Sequence, residues 1–277
     1  MKQIKIAVGV SLSDERVERI RSVSPRLHVT QISHLVSKEI RLLRDVPGSE
    51  EQAKATAQLD EAFRDVEVFL SLFRLPENVP VRSPLLKWVQ NMGAGVERIL
   101  QSGLLEAGVT LTNARGVASR PIAEWIVCSM LMFIKQMPEY YSRKQSRVYK
   151  RLDLDIMSLE GKTMGILGMG AIGEETAKLA RAFGMHVLAT RRTTEGPVPS
   201  YVDQLFSPDR SVELLGSSDF VAVTLPLTPA TMKTIGEVEL SAMKSTAYIF
   251  NVGRGALIDE PVLIRALNEG WIAGAGL

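Results

Sequence analysis

Residues 163–192 read "TMGILGMGAIGEETAKLARAFGMHVLATRR", and the spacing of their glycines decides the fold. Gly168, Gly170 and Gly173 form G-x-G-x-x-G. An apolar run at 163–167 precedes them, an amphipathic run follows at 172–183, and a second apolar run closes at 186–190. Strand, glycine turn, helix and strand together make this weak pattern specific for a dinucleotide. Gly168 permits the tight turn, Gly170 lets a pyrophosphate approach the backbone, and Gly173 lets the helix pack closely on the strand. The helix start then offers free N–H groups and the positive end of its dipole to phosphate. An ordinary glycine-rich turn is the competing reading.

The end of the second strand speaks to the choice of dinucleotide. A carboxylate there binds the ribose 2′-hydroxyl of NAD and repels a 2′-phosphate, which arginine attracts. Here Thr190 is followed by Arg191 and Arg192. The expected cofactor is NADP(H) in preference to NAD(H), the alternative being that both arginines are simply solvated.

Working outward, short apolar runs alternate with amphipathic ones along the whole chain. Strands are expected at 4–10, 27–30, 66–73, 86–90 and 109–112, with helices at 14–22, 50–64 and 96–107. A long helical region at 120–150 carries Pro121 in its first turn, and Pro138 is expected to break or kink it. After the glycine turn, strands are expected at 220–225, 247–251 and 272–277, a helix at 261–268, and a loop at 193–200. This β–α alternation predicts an α/β protein with two doubly wound, mostly parallel sheets covered by helices on both faces. The junction falls near 113–119, giving domains 1–117 and 118–277.

A second motif, "NVGRG" (251–255), follows an expected strand in the second domain. In doubly wound sheets, ligands sit beyond the carboxyl ends of the strands. Arg254, between two glycines, is placed to hold a substrate carboxylate by two parallel hydrogen bonds, or else to form a structural salt bridge. Asp259 and Glu260 are read as the start of the next helix.

The totals exclude several classes. With 33 Lys and Arg against 31 Asp and Glu, no strong field draws the chain to nucleic acid or membrane. Cys128 is the single cysteine, so there is no internal disulfide and no cysteine-based zinc cluster; its neighbours "EWIVCSMLMFI" suggest a buried helix residue. No metal site is expected. That stretch is too short to span a bilayer, and the N-terminus is not a signal peptide, so a cytoplasmic location is expected.

"NMGAGVERI" (91–99), "RPIAEW" (120–125), "GILGMGAIG" (165–173), "LPLTPATM" (225–232) and "NVGRGALIDEPVLIRAL" (251–267) occur in the order and at the spacing of one family. Through them the chain resembles the D-isomer-specific 2-hydroxyacid dehydrogenases, which include glyoxylate/hydroxypyruvate reductases, D-lactate dehydrogenase and phosphoglycerate dehydrogenase. The resemblance implies a flavodoxin-like substrate domain, a Rossmann NAD(P)-binding domain and two-fold homodimers formed through the cofactor domain, here through the 124–134 helix and the arm at 138–150. It implies hydride transfer between the nicotinamide and C2 of a small 2-keto or 2-hydroxy acid. Arg254 matches the family's catalytic and substrate-binding arginine, and Ala94 and Gly95 match the loop whose N–H groups hold the substrate carboxylate. Gly168, Gly170, Ala171, Ile172 and Gly173 match the pyrophosphate turn. Arg191, followed by Arg192, stands where NAD-using members carry an acidic residue. Leu225 and Pro226 match the segment near the adenine, and Val252 and Gly253 the one beside the nicotinamide.

The chain closes on "GWIAGAGL" (270–277), which reads as a strand just beginning. In the family this stretch runs on to an acidic residue, a proton-donating histidine and a helix that returns to the first domain. His28, His34 and His186 all precede the arginine motif and are read as structural or solvent-facing. The expectation is therefore that both domains are incomplete, lacking that histidine and its partner, and that the 277-residue chain binds cofactor yet turns over poorly. Two rivals remain: a non-catalytic dinucleotide-binding protein, co-repressor-like or a decayed paralogue, and a formate or phosphite dehydrogenase.

Overall fold

The computed structural model describes residues 2–72, 75–149 and 157–277. The chain divides into two units, Met1–Arg115 and Gly116–Leu277. The division falls inside the 113–119 segment, two residues before the expected boundary.

The first unit contains β1 (Ile4–Val8), α1 (Asp14–Arg21), β2 (Leu27–Gln31), α2 (Ser33–Asp45), α3 (Glu50–Phe63), β3 (Val68–Ser71), α4 (Val79–Arg82), β4 (Trp88–Asn91), α5 (Glu97–Leu100) and β5 (Thr110–Asn113). Its five strands are all parallel, in the order β2-β1-β3-β4-β5. One sheet face, with Ala7, Phe69 and Val89, packs on Val36, Leu59 and Phe63 of α2 and α3. The other carries a smaller cluster, Val8, Val17 and Val29, under α1. Along it a groove of about 820 Å³ is lined by Ile6, Leu27, Leu70 and Trp88.

The second unit contains α6 (Ser119–Ile134), α7 (Met137–Gln145), β6 (Thr163–Leu167), α8 (Ala171–Ala182), β7 (His186–Thr190), β8 (Gln204–Phe206), α9 (Ser211–Ser217), β9 (Phe220–Val223), α10 (Glu237–Ala242), β10 (Tyr248–Asn251), α11 (Glu260–Asn268) and β11 (Gly274–Gly276). The order is β11-β10-β9-β6-β7-β8, again wholly parallel. Two cores flank this sheet. Val221, Val223 and Ile249 pack on α9, α10 and α11, and Phe220, Ala222 and Phe250 pack on α6 and α8. All four residues of β9 are buried, which explains its unbroken apolar sequence.

Several expectations need correction. The helix expected at 96–107 is the single turn α5; Gly103 and Gly108, at φ of 75° and 72°, sit where a helix cannot continue. The region at 120–150 is two helices, broken at Gln136 (φ 55°). The expected break near Pro138 is therefore present, with Pro138 itself in the first turn of α7. Cys128 is exposed, because Ile126, Val127 and Met130 form the buried stripe of α6 and Cys128 lies off it. α2 was not among the expected helices, although the expected setting of His34, its second residue, is a loop or a helix start. Phe73 and Lys150, the ends of the runs expected at 66–73 and 120–150, lie outside the described residues. Among the described residues, no helix is long and apolar enough to cross a membrane, and no group of His, Cys, Asp and Glu could hold a metal ion.

Candidate functional site

β6 ends at Leu167, and Gly168 turns the chain with φ at 103°. Thr190 and Thr224 fasten this turn. The Gly168 N–H donates to Thr190 Oγ1 (3.0 Å), and the Met169 N–H donates to the Thr190 carbonyl (3.1 Å). Thr224 Oγ1 donates to the Gly168 carbonyl at 2.6 Å. A Cβ added at Gly173 would lie 2.2 Å from that same carbonyl, so only glycine lets α8 approach β6 this closely. At Gly170 a Cβ would meet nothing within 4 Å. Gly170 is the N-cap of α8 and brings no side chain to its first N–H groups. An uncapped helix start behind an open glycine is a cradle for an anion, so these residues fit the pyrophosphate of a dinucleotide.

Thr190 is buried at the end of β7, and the two arginines follow it. The Arg191 guanidinium folds back on its own loop: Nε donates to the Thr193 carbonyl, and Nη2 to the Glu195 carbonyl at 3.1 Å. Arg192 is exposed. The residue that follows β7 is an arginine rather than an acid. The Tyr201 hydroxyl ties the far end of the loop to α8 by donating to Glu174 (3.1 Å). Lys178 pairs with Glu175 and Glu174, which raise its ammonium pKa above the ordinary lysine value.

Beyond β10, the Asn251 side chain shapes the arginine motif. Its Oδ1 accepts from the Gly253 N–H (3.0 Å), and its Nδ2 donates to the Arg254 carbonyl (2.9 Å). A Cβ at Gly253 would meet the Leu225 carbonyl at 2.8 Å, so the segments holding Leu225–Pro226 and Val252–Gly253 touch. Arg254 is exposed. Its Nη1 donates to the Gly253 carbonyl (3.0 Å). Asp259 is the N-cap of α11 and pairs with Lys233 at 3.2 Å.

The structure thus brings the glycine turn, Arg191, Arg192, Leu225 and Arg254 to one edge of the second sheet, beyond the carboxyl ends of β6, β7, β9 and β10. That is where doubly wound sheets bind ligands. His186 opens β7 at the opposite, amino edge and is exposed, as are His28 and His34 in the first unit. Ala94 and Gly95 follow β4 at the carboxyl edge of the first sheet. Sequence reasoning missed Thr224, Asn251, Asn91 and Asn113 as supports. Their one signal was a polar residue near the end of an expected strand.

The model for "D-isomer specific 2-hydroxyacid dehydrogenase, NAD binding domain" matches residues 127–277. A glyoxylate reductase of Thermococcus gammatolerans is 35% identical over 226 residues, 78% of this chain and 67% of that protein. A D-3-phosphoglycerate dehydrogenase of Methanocaldococcus jannaschii is 31% identical over 246 residues, 86% of this chain and 46% of that protein. The crystal structure of a glyoxylate reductase from Paecilomyes thermophila has the same fold, with a TM-score of 0.78 at 25% identity, over 100% of this chain and 81% of that one.

Proposed function

The chain belongs to the D-isomer specific 2-hydroxyacid dehydrogenases, NAD(P)-dependent oxidoreductases acting on CH–OH groups, and on that premise we propose that it interconverts small 2-keto acids and D-2-hydroxy acids with NADP(H) as preferred cofactor. Glyoxylate and hydroxypyruvate are the first substrates to try. The observation that carries the reading is the convergence, at one sheet edge, of an anion cradle and Arg254. When bound, the cofactor would supply the hydride to C2, and water the proton that the C2 oxygen takes up. Arg254 holds the substrate carboxylate with its planar fork and polarises the C2 carbonyl. The N–H groups of Ala94 and Gly95 are a second carboxylate-binding element. Fluorescence titration with NADPH, with and without glyoxylate, tests the reading.

Arg191 and Arg192, standing directly after β7 in place of an acidic residue, support the phosphorylated cofactor. A charge-assisted hydrogen bond contributes about 1.5–3 kcal/mol, so NADPH should bind about ten- to a hundredfold tighter than NADH. Arg191→Asp should invert that order. Equal or tighter NADH binding by the unsubstituted chain would overturn the preference.

The same reading proposes a two-fold homodimer through α6 and α7. Trp125, Met132, Met137 and Tyr141 leave apolar surface exposed there. A groove of about 480 Å³ beside them is lined by Val127, Cys128, Leu131 and Phe183. Burying such a patch against its own copy closes a two-fold interface. Light scattering should give twice the chain mass, and Met132→Glu should give a folded monomer. A concentration-independent monomer of the unsubstituted chain would contradict the dimer.

A further inference from the structure

The carboxylate loop rests on two asparagines that the reaction itself does not use. Asn91 and Asn113 are the last residues of β4 and β5 and are register partners across that ladder. Asn91 is fully buried, and its Nδ2 donates to the carbonyls of Gly93 and Gly95, both at 2.9 Å. Asn113 Nδ2 donates to the Ala94 carbonyl at 2.6 Å. The Ala114 N–H adds a bond to Gly93 O at 3.2 Å. Three successive carbonyls are therefore drawn down onto the strand ends.

In a trans peptide, the C=O of one residue and the N–H of the next point in opposite directions. Tying down the carbonyls of Gly93, Ala94 and Gly95 turns the N–H groups of Ala94, Gly95 and Val96 the other way. Among the described residues, none of these three N–H groups donates to a protein acceptor. Consecutive N–H groups turned to one side make an anion-binding concavity. Amide nitrogen is the atom that suits both asparagines here, because carbonyl oxygens can only accept.

We propose that Asn91 and Asn113 are positioning residues that hold this loop with its N–H groups facing the carboxylate of a 2-keto acid. The proposal rests on the reading of Ala94 and Gly95 given above. It deepens that reading, because it makes substrate affinity depend on two side chains that do not touch the substrate.

The test uses the whole chain saturated with NADPH and oxamate as an unreactive 2-keto acid analogue. In ¹⁵N–¹H spectra, oxamate should shift the amides of Ala94, Gly95 and Val96. Asn113 is exposed, so its variants should fold. Asn113→Ala should weaken oxamate about tenfold, the effect of one lost hydrogen bond, and leave NADPH affinity and melting temperature unchanged. Asn113→Asp, which cannot donate and adds negative charge, should weaken it further. Asn113→Gln, which keeps the donor, should recover part of the loss. Amides that ignore oxamate would overturn the carboxylate reading of the loop and this proposal with it. Amides that respond, with oxamate affinity unchanged in Asn113→Ala and Asn113→Asp, would leave the loop reading standing and overturn the clamp.

Discussion

Gly173→Ala is expected to abolish measurable cofactor binding and to destabilise the second unit by about 3 kcal/mol, the upper part of the usual overpacking range. The added methyl would lie 2.2 Å from the Gly168 carbonyl oxygen. That oxygen belongs to the backbone and is fixed by Thr224 Oγ1 at 2.6 Å, so no side-chain rotation relieves the clash. Either α8 moves off β6 or the turn is displaced. Both separate the first N–H groups of α8 from the turn. Losing two charge-assisted hydrogen bonds to phosphate costs about a hundredfold or more in affinity. Gly170→Ala separates packing from close approach. Its methyl meets nothing within 4 Å, and its φ of −91° suits any residue, so stability should hold. The methyl would stand where phosphate must approach, so NADPH affinity should still fall. Thermal melts and fluorescence titration of the two variants check both statements. A stable Gly173→Ala chain with full NADPH affinity would show that the cradle is not the cofactor site.

Arg254→Ala should lower kcat/KM for 2-keto acid reduction by about 10²–10⁴, the worth of two charge-assisted hydrogen bonds. The side chain is exposed, so removing it should change stability by only about 0.5 kcal/mol. Arg254→Lys keeps the charge and loses the planar fork, so it should fall between. NADPH affinity should be nearly unchanged in both. If kcat/KM survives Arg254→Ala within about twofold, the arginine is a structural residue and the substrate is held elsewhere.

The parts of the fold that were legible are those in which burial and glycine punctuate the chain together. Thr163–Leu167 and His186–Thr190 were readable to the residue. Each is a short apolar run stopped by glycine or by charge, and β6 is buried at four of its five positions. α2 was not legible. It begins after Ile32, which supplies no side-chain cap, and it buries Glu39 at 1% exposure against Arg82 at 2.8 Å. Glu39 reads by residue type as a surface position, and only the arginine 43 residues away accounts for its burial. The helix expected at 96–107 failed for the opposite reason, since apolar spacing persists through turns set by Gly103 and Gly108.

The site divided in the same way. The glycine turn and Arg254 announce themselves by residue type and spacing. The threonines that fasten the glycine turn do not, because each meets its partner only after the sheet forms. Thr190 and Gly168 are 22 residues apart, and Asn113 reaches Ala94 across 19. The fold-back of Arg191 onto Thr193 and Glu195 is local but depends on the path of an irregular loop.

The most direct test of the central claim uses stoichiometric protein and follows a single turnover. NADPH and hydroxypyruvate are added, NADPH oxidation is followed by absorbance, and the enantiomers of the glycerate formed are resolved. The account predicts NADPH oxidation matched by D-glycerate alone, with the Arg254→Ala chain far slower. Formation of L-glycerate, or oxidation no faster than in the Arg254→Ala chain, would contradict it.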